Sequence, residues 1–270
     1  MVPLKTAAFA AVSVFSVLTF LFSSPAFSAV ADCTPPMPLQ QVGLERVLDG
    51  DTLALSDGRR VRLIGVNTPE KAHYGREEEA GADAATRFAK RFLGGGPLRI
   101  GIGQDPQDHY KRTLAHAFRA DGRSLEEALL EAGLAVQIVV PPNLSLAACF
   151  HAAEERARAA RRGLWREDVL PVTRLHDGEQ GFRTLRGRVT RVARARSSWW
   201  IELDGRVSLR VDRSDWKQFP PSMPESLRGQ TVEARGWLTW RNATSRGKDS
   251  YPPWSLRVRH PLAVSVRANG

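Results

Sequence analysis

Asp49, Asp51, Arg62, Asn67, Thr68 and Glu70 fall within a short stretch of this 270-residue chain. Between the two groups of oxygen-bearing residues, apolar positions alternate on either side of Asp57-Gly58. That pattern reads as two strands joined by a tight turn, because Asp-Gly readily adopts the positive φ angles of a primed hairpin. Folding the hairpin back brings Asp49 and Asp51 at one end against Asn67, Thr68 and Glu70 at the other, with Arg62 on the returning strand. Oxygen ligands, a carboxylate able to take a proton and a guanidinium would then share one small volume. Those groups suit a hard cation and attack on a phosphodiester.

The elements that must hold these residues follow in order. A strand over 42–48 enters the corner. Residues 71–76 read as a polar loop and 77–93 as a helix with Ala80, Ala84, Phe88 and Phe92 on its apolar face, ended by the glycines at 94–96 and Pro97. Strands are expected at 98–103 and 113–119, separated by a polar loop at 104–112. Ser124-Leu125-Glu126-Glu127 is a capping box that opens a helix stopped by Gly133. A last helix covers 146–162, with Glu154 and Arg158 spaced i,i+4. Strands with one inserted and two closing helices make an α+β barrel.

Five blocks in this region resemble the staphylococcal nuclease (thermonuclease) family: Asp49-Gly50-Asp51-Thr52, residues 62–70, Tyr110-Lys111-Arg112, the pair 127–129 with 133–135, and Gly163-Leu164-Trp165. The resemblance spans residues 42–165. It implies an OB-fold, a five-stranded barrel with three helices, and Ca²⁺-dependent hydrolysis of phosphodiesters in DNA and RNA that leaves 3′-phosphate ends. Residue by residue, it implies that Asp51, Asn67 and Thr68 (through its carbonyl) hold the metal and that Asp49 stands behind them. It implies that Arg62 and Arg112 grip the phosphate, that Glu70 acts on the attacking water, and that Tyr110 contacts the nucleotide. Asn67 occupies the place of an aspartate in the family, an exchange that removes one negative charge and is expected to weaken Ca²⁺ binding. The family's base-side tyrosines have no equivalents in residues 136–140, and His109 replaces a lysine. The alternative is a nuclease-fold protein without catalysis that binds nucleic acid or the cell envelope. Asn67 favours that alternative; Asp51, Arg62, Glu70 and Arg112 argue against it.

Charge divides the chain. Residues 1–170 carry 20 Lys+Arg and 20 Asp+Glu, whereas 171–270 carry 19 and 9. Six of the seven tryptophans lie in that last part. We therefore expect a nuclease-like domain at 32–166, a linker at 167–182, and a smaller, mostly-β, basic OB-like domain at 183–270. Strands are expected near 184–195, 199–203, 206–213, 231–240 and 256–267. Cations track phosphates and rings stack on bases, so Arg186, Arg188, Arg191, Arg194 and Arg196 with Trp199, Trp240 and Trp254 are candidate contacts, unless the tryptophans are core.

Lys5, the apolar run at 7–22 and the small residues at 23–31 have the form of a signal peptide, 1–31. A periplasmic or secreted location is expected, with no stable membrane insertion after cleavage and a monomeric mature protein. Export would let the two cysteines, Cys33 and Cys149, pair.

Overall fold

The computed structural model describes residues 33–72, 77–94, 96–241 and 252–267. The expected signal peptide at 1–31 and the loop residues 73–76 lie outside them. In chain order the first elements are β1 (Gln40–Val42), β2 (Leu44–Val47), β3 (Thr52–Leu55), β4 (Arg60–Leu63), β5 (Val66–Asn67) and α1 (Ala82–Leu93). Then come β6 (Leu98–Gln107), β7 (Thr113–Phe118), α2 (Leu125–Glu131), β8 (Val136–Gln137) and α3 (Ala147–Ala159). β1 and β2 form one run interrupted at Gly43, pairing with β6 through its first half and with β3 through its second. The ladder continues from β3 to β4, from β4 to β7 in parallel, and from β7 back to β6. The pairing therefore closes on itself as a five-stranded barrel. β5 and β8 make a separate two-stranded ladder, with Val66 opposite Gln137 and Asn67 opposite Val136.

The second group comprises β9 (Leu170–Pro171), β10 (Gly181–Arg194), β11 (Ser198–Leu203), β12 (Val207–Asp212), β13 (Thr231–Trp240), β14 (Trp254–Arg257) and β15 (Val264–Val266). Its pairings run β10–β11–β12–β14–β13 and return to β10, with β12 and β14 parallel. This is the strand order of the first barrel, including its single parallel pair, so both units share the OB connectivity. Each has its own apolar core. The first is built around Leu53, Leu63, Ile100, Phe118, Leu129 and Phe150, the second around Leu185, Ile201, Leu209, Val232, Trp254 and Leu256. The alternation of buried and exposed residues along β10 is what a strand with one face on a core requires.

Several sequence expectations are corrected here. α1 starts at Ala82, not 77, and buries Ala82, Ala85, Ala89 and Phe92, whereas Ala80 is exposed. Gly81, at φ +97°, stops the helix from extending backwards. Residues 77–80 instead turn toward the loop after β5, where Glu79 and Glu70 exchange backbone and side-chain hydrogen bonds. The barrel strand starting at 98 continues to Gln107. The expected linker at 167–182 is built into the second unit: β9 pairs with β10, and Val172 and Leu175 are buried in the second core. The expected last strand at 256–267 is two strands, β14 and β15, separated by a short 3₁₀ turn. Trp199 and Trp254 are core residues, and Trp240 packs partly against the same core, so none of the three offers a free stacking face.

Candidate active site

The corner between β2 and β3 is set by Gly50. A Cβ there would lie 2.6 Å from Thr68 Cγ2 and 2.8 Å from the Ala85 side chain. Only glycine lets the Asp49–Asp51 turn sit this close to the segment after β5. Asp49 Oδ1 accepts the backbone N–H of Asp51 at 3.0 Å, closing the turn. Asp51 Oδ2 accepts the backbone N–H of Thr68 at 2.8 Å. The hairpin ends are thus tied by a direct hydrogen bond between residues 17 apart in sequence.

Arg62 is buried at the centre of this knot. Its Nη1 donates to the carbonyls of Leu63 at 3.0 Å and Val66 at 2.9 Å. Its Nη2 donates to Asn67 Oδ1 at 3.1 Å and lies 3.0 Å from Asp51 Oδ2. The Asn67 amide nitrogen donates to the Thr68 carbonyl at 3.3 Å. Asp51, Arg62, Asn67 and Thr68, expected from sequence to share a site, are therefore in mutual contact.

Burial pushes the Asp49 carboxyl up to about 7, and the adjacent Asp51 carboxylate adds to the shift. Two acids crowded in this way suit a cation, whose charge would relieve their repulsion. Asp51 Oδ1 accepts the Thr52 hydroxyl at 3.2 Å, and the Thr68 carbonyl keeps a second lone pair. The oxygen set fits a hard divalent cation in chemistry.

Glu70 stands at the open side of the knot and is solvent-exposed. Partial desolvation of its carboxyl raises its pKa, the Asp51 charge adds to the rise, and Arg62 and Arg112 act against it. All three charged partners are thus within electrostatic reach of Glu70. Arg112 comes from the turn between β6 and β7. That turn is organised by Asp108, whose Oδ1 accepts the backbone N–H groups of Tyr110 and Arg112, each at 2.9 Å. Asp108 Oδ2 accepts Arg112 Nε at 2.8 Å. Burial opposes ionisation of Asp108, but these bonds from Arg112 outweigh it and hold its pKa below the usual carboxylate range. Among the described residues, the Nη groups of Arg112 have no acceptor. Tyr110 is well exposed, with the Arg112 guanidinium 5.4 Å from its ring centroid.

Sequence reasoning passed over Asp108 and Glu79. Asp108 carried a signal, since an aspartate two residues before an exposed position favours a side-chain-capped turn. Glu79 carried none inside the run 77–79, and only its bond to the Glu70 backbone, at 3.0 Å, distinguishes it. Cys33 and Cys149 form a disulfide that joins the chain before β1 to α3.

The family model for staphylococcal nuclease homologues matches residues 60–167. A thermonuclease of Staphylococcus intermedius is 34% identical over 125 residues, covering 45% of this chain and 74% of that protein. Endonuclease YncB of Bacillus subtilis (strain 168) is 33% identical over 146 residues, covering 52% of this chain and 68% of that protein. A protein of Escherichia coli O157:H7 named as an uncharacterized endonuclease is 32% identical over 134 residues, covering 47% and 77%. A closed OB barrel whose hairpin ends join Asp51, Arg62, Asn67 and Thr68, together with these matches, leads to one conclusion: the chain belongs to the staphylococcal nuclease family.

Proposed function

We propose that this protein is an exported, Ca²⁺-dependent endonuclease that cuts DNA and RNA and leaves 3′-phosphate ends. The endonuclease assignment rests on the family; the metal, the products and the export are our reading. The observation that carries it is the knot of Asp51, Arg62, Asn67 and Thr68, with Glu70 at its open side. Asp51 and the Thr68 carbonyl would hold the cation, with Asp49 behind them, and Asn67 would join them by releasing its amide oxygen from Arg62. When bound, Ca²⁺ supplies positive charge beside a phosphate oxygen as negative charge builds there.

The remaining chemistry belongs to side chains. The Glu70 carboxylate orients a water and takes its proton as the water oxygen forms a bond to phosphorus. Its raised pKa makes it a stronger base than an ordinary glutamate. The Arg112 guanidinium presents its Nη groups to the equatorial oxygens, where charge accumulates. The P–O5′ bond breaks opposite the entering water, and the leaving oxygen takes up a proton from solvent to give a 5′-hydroxyl and a 3′-phosphate. Arg62 reaches the phosphate by exchanging one of its protein acceptors for a phosphate oxygen.

The N-terminal apolar run and the Cys33–Cys149 disulfide support a periplasmic or secreted location. Nicking of supercoiled plasmid by the purified mature protein tests the whole reading. Nicking is expected with Ca²⁺, is expected to stop with EDTA, and is expected to fall by about 10²-fold or more in Glu70→Gln. A parent protein that binds plasmid but never nicks it would establish the non-catalytic alternative.

A further inference from the structure

Phe182 and Trp237 are directly opposite each other across β10 and β13, with their rings edge-to-face at 5.3 Å between centroids. Trp237 keeps 50% of its surface exposed, in contrast to the buried Trp199 and Trp254. With Phe182 against it, this ring forms an aromatic pair that keeps one member half open to water. Strand alternation puts Trp237 on the same face as Glu233 and Arg235. That face is turned toward the first barrel, because Glu233 pairs with Arg158 at 2.7 Å and Arg235 pairs with Glu154.

Between the two barrels runs an open groove of about 220 Å³, lined in part by Asn67, Pro69, Glu79, Val136, Phe182 and Arg183. Asn67 of the candidate active site and Phe182, against which the Trp237 ring stands, both line it. Arg183 lies 3.8 Å from the Glu79 carboxylate, and Glu79 in turn accepts the backbone N–H of Glu70. The guanidinium therefore offsets an acid that would repel a phosphate chain leaving the site.

We propose that this groove is a base-stacking subsite for the substrate strand, with Trp237 and Phe182 as the platform and Arg183 as the cation along the path. The inference rests on the endonuclease reading and extends its substrate-binding surface onto the second barrel. A base must leave its own stack to lie on an aromatic ring, so the ligand is single-stranded nucleic acid. The half-exposed Trp237 ring on Phe182, and the lining that Phe182 and Arg183 share with Asn67, support that class. Stacking tolerates any base, so the subsite adds affinity without sequence preference.

The test uses the full mature protein carrying Glu70→Gln, a fluorescently labelled single-stranded 12-mer and Ca²⁺. Trp237→Ala is expected to raise Kd about tenfold, and Phe182→Ala to raise it in the same direction. Trp237→Phe, which keeps a ring, is expected to recover most of the binding. In the cleavage-competent protein, the Trp237→Ala effect is expected on KM rather than on kcat. Unchanged Kd and KM in Trp237→Ala would overturn the subsite while leaving the nuclease reading intact. A parent protein that does not cut at all would instead remove the nuclease reading on which it rests.

Discussion

The Arg62 Nη groups make three hydrogen bonds to protein acceptors and an ion pair with Asp51, whereas among the described residues Arg112 hydrogen-bonds only through its backbone and Nε. The two guanidinia therefore approach a phosphate at different cost. Arg62 is fixed by the site's own oxygens, and Arg112 is aimed by one aspartate and keeps its fork available. Asn67 fits this division, since its amide oxygen faces the Arg62 donors and its nitrogen faces the Thr68 carbonyl. A carboxylate could make the first contact but could not donate to the second. Asp108 is then a positioning residue for Arg112. Asp108→Ala is expected to lower kcat by about 10- to 100-fold, because a loosened catalytic group costs rate out of proportion to its displacement. Steady-state cleavage measures this, and a parent-like kcat would refute the role.

The ladder of β5 and β8 is only two residues long, yet it carries Asn67 and the Val66 carbonyl that anchors Arg62. It is braced from behind. The Gln137 N–H donates to Glu154 Oε1 at 3.1 Å, and Arg235 of β13 contacts both the Gln137 carbonyl, at 3.4 Å, and Glu154. Sequence spacing pairs Glu154 with Arg158, but that separation is 4.0 Å, and Arg235 is the closer partner. Glu154 and Arg235 are both buried, so removing one leaves an uncompensated charge. Arg235→Met is expected to destabilise the protein by about 3 kcal/mol in a urea melt. A change near zero would show that Glu154 is adequately held by Arg158 and the Gln137 amide.

Across the whole molecule, the two barrels meet through an alternation of acids and arginines. Glu233 binds Arg158 and Arg267, and Arg267 also reaches Glu155 at 3.3 Å. Burial alone would raise the Glu155 pKa, but Arg267 outweighs it and holds the carboxyl below its ordinary value of 4.5. A depressed carboxyl contributes stability that is complete above about pH 4.5 and is lost as pH falls through the lower folded value. His151, in the same cluster, is shifted below 6.5, first by burial and also by the Arg235 charge. An unfolded chain binds that proton more readily, so stability also falls as pH drops below about 6.5. The raised Asp49 carboxyl acts with the opposite sign in the same pH range, so the His151 contribution is read as a difference: the melting midpoint of the parent relative to His151→Gln is expected to fall as pH drops from 7 to 5. A difference between the two proteins that stays constant from pH 7 to 5 would contradict the His151 contribution.

The residue types of the site were legible in the sequence because a hairpin of period-2 apolar residues must bring its ends together, and the polar residues at those ends have no core role. The two-barrel division was legible in the shift of charge and tryptophan content at residue 171. Tertiary structure decided what those residues do to one another. Local pattern could not reveal that Asn67 and Asp51 lock Arg62, that Glu79 leaves the expected helix to brace Glu70, or that residues 170–175 belong to the second core rather than to a linker. Nor could composition separate Trp254, which closes a core, from Trp237, which faces water. The reason is physical: alternation assigns a face to each side chain, but what that face meets depends on strands up to a hundred residues away. The Arg235–Glu154 contact spans 81 positions of sequence, and only the packed chain brings it into being.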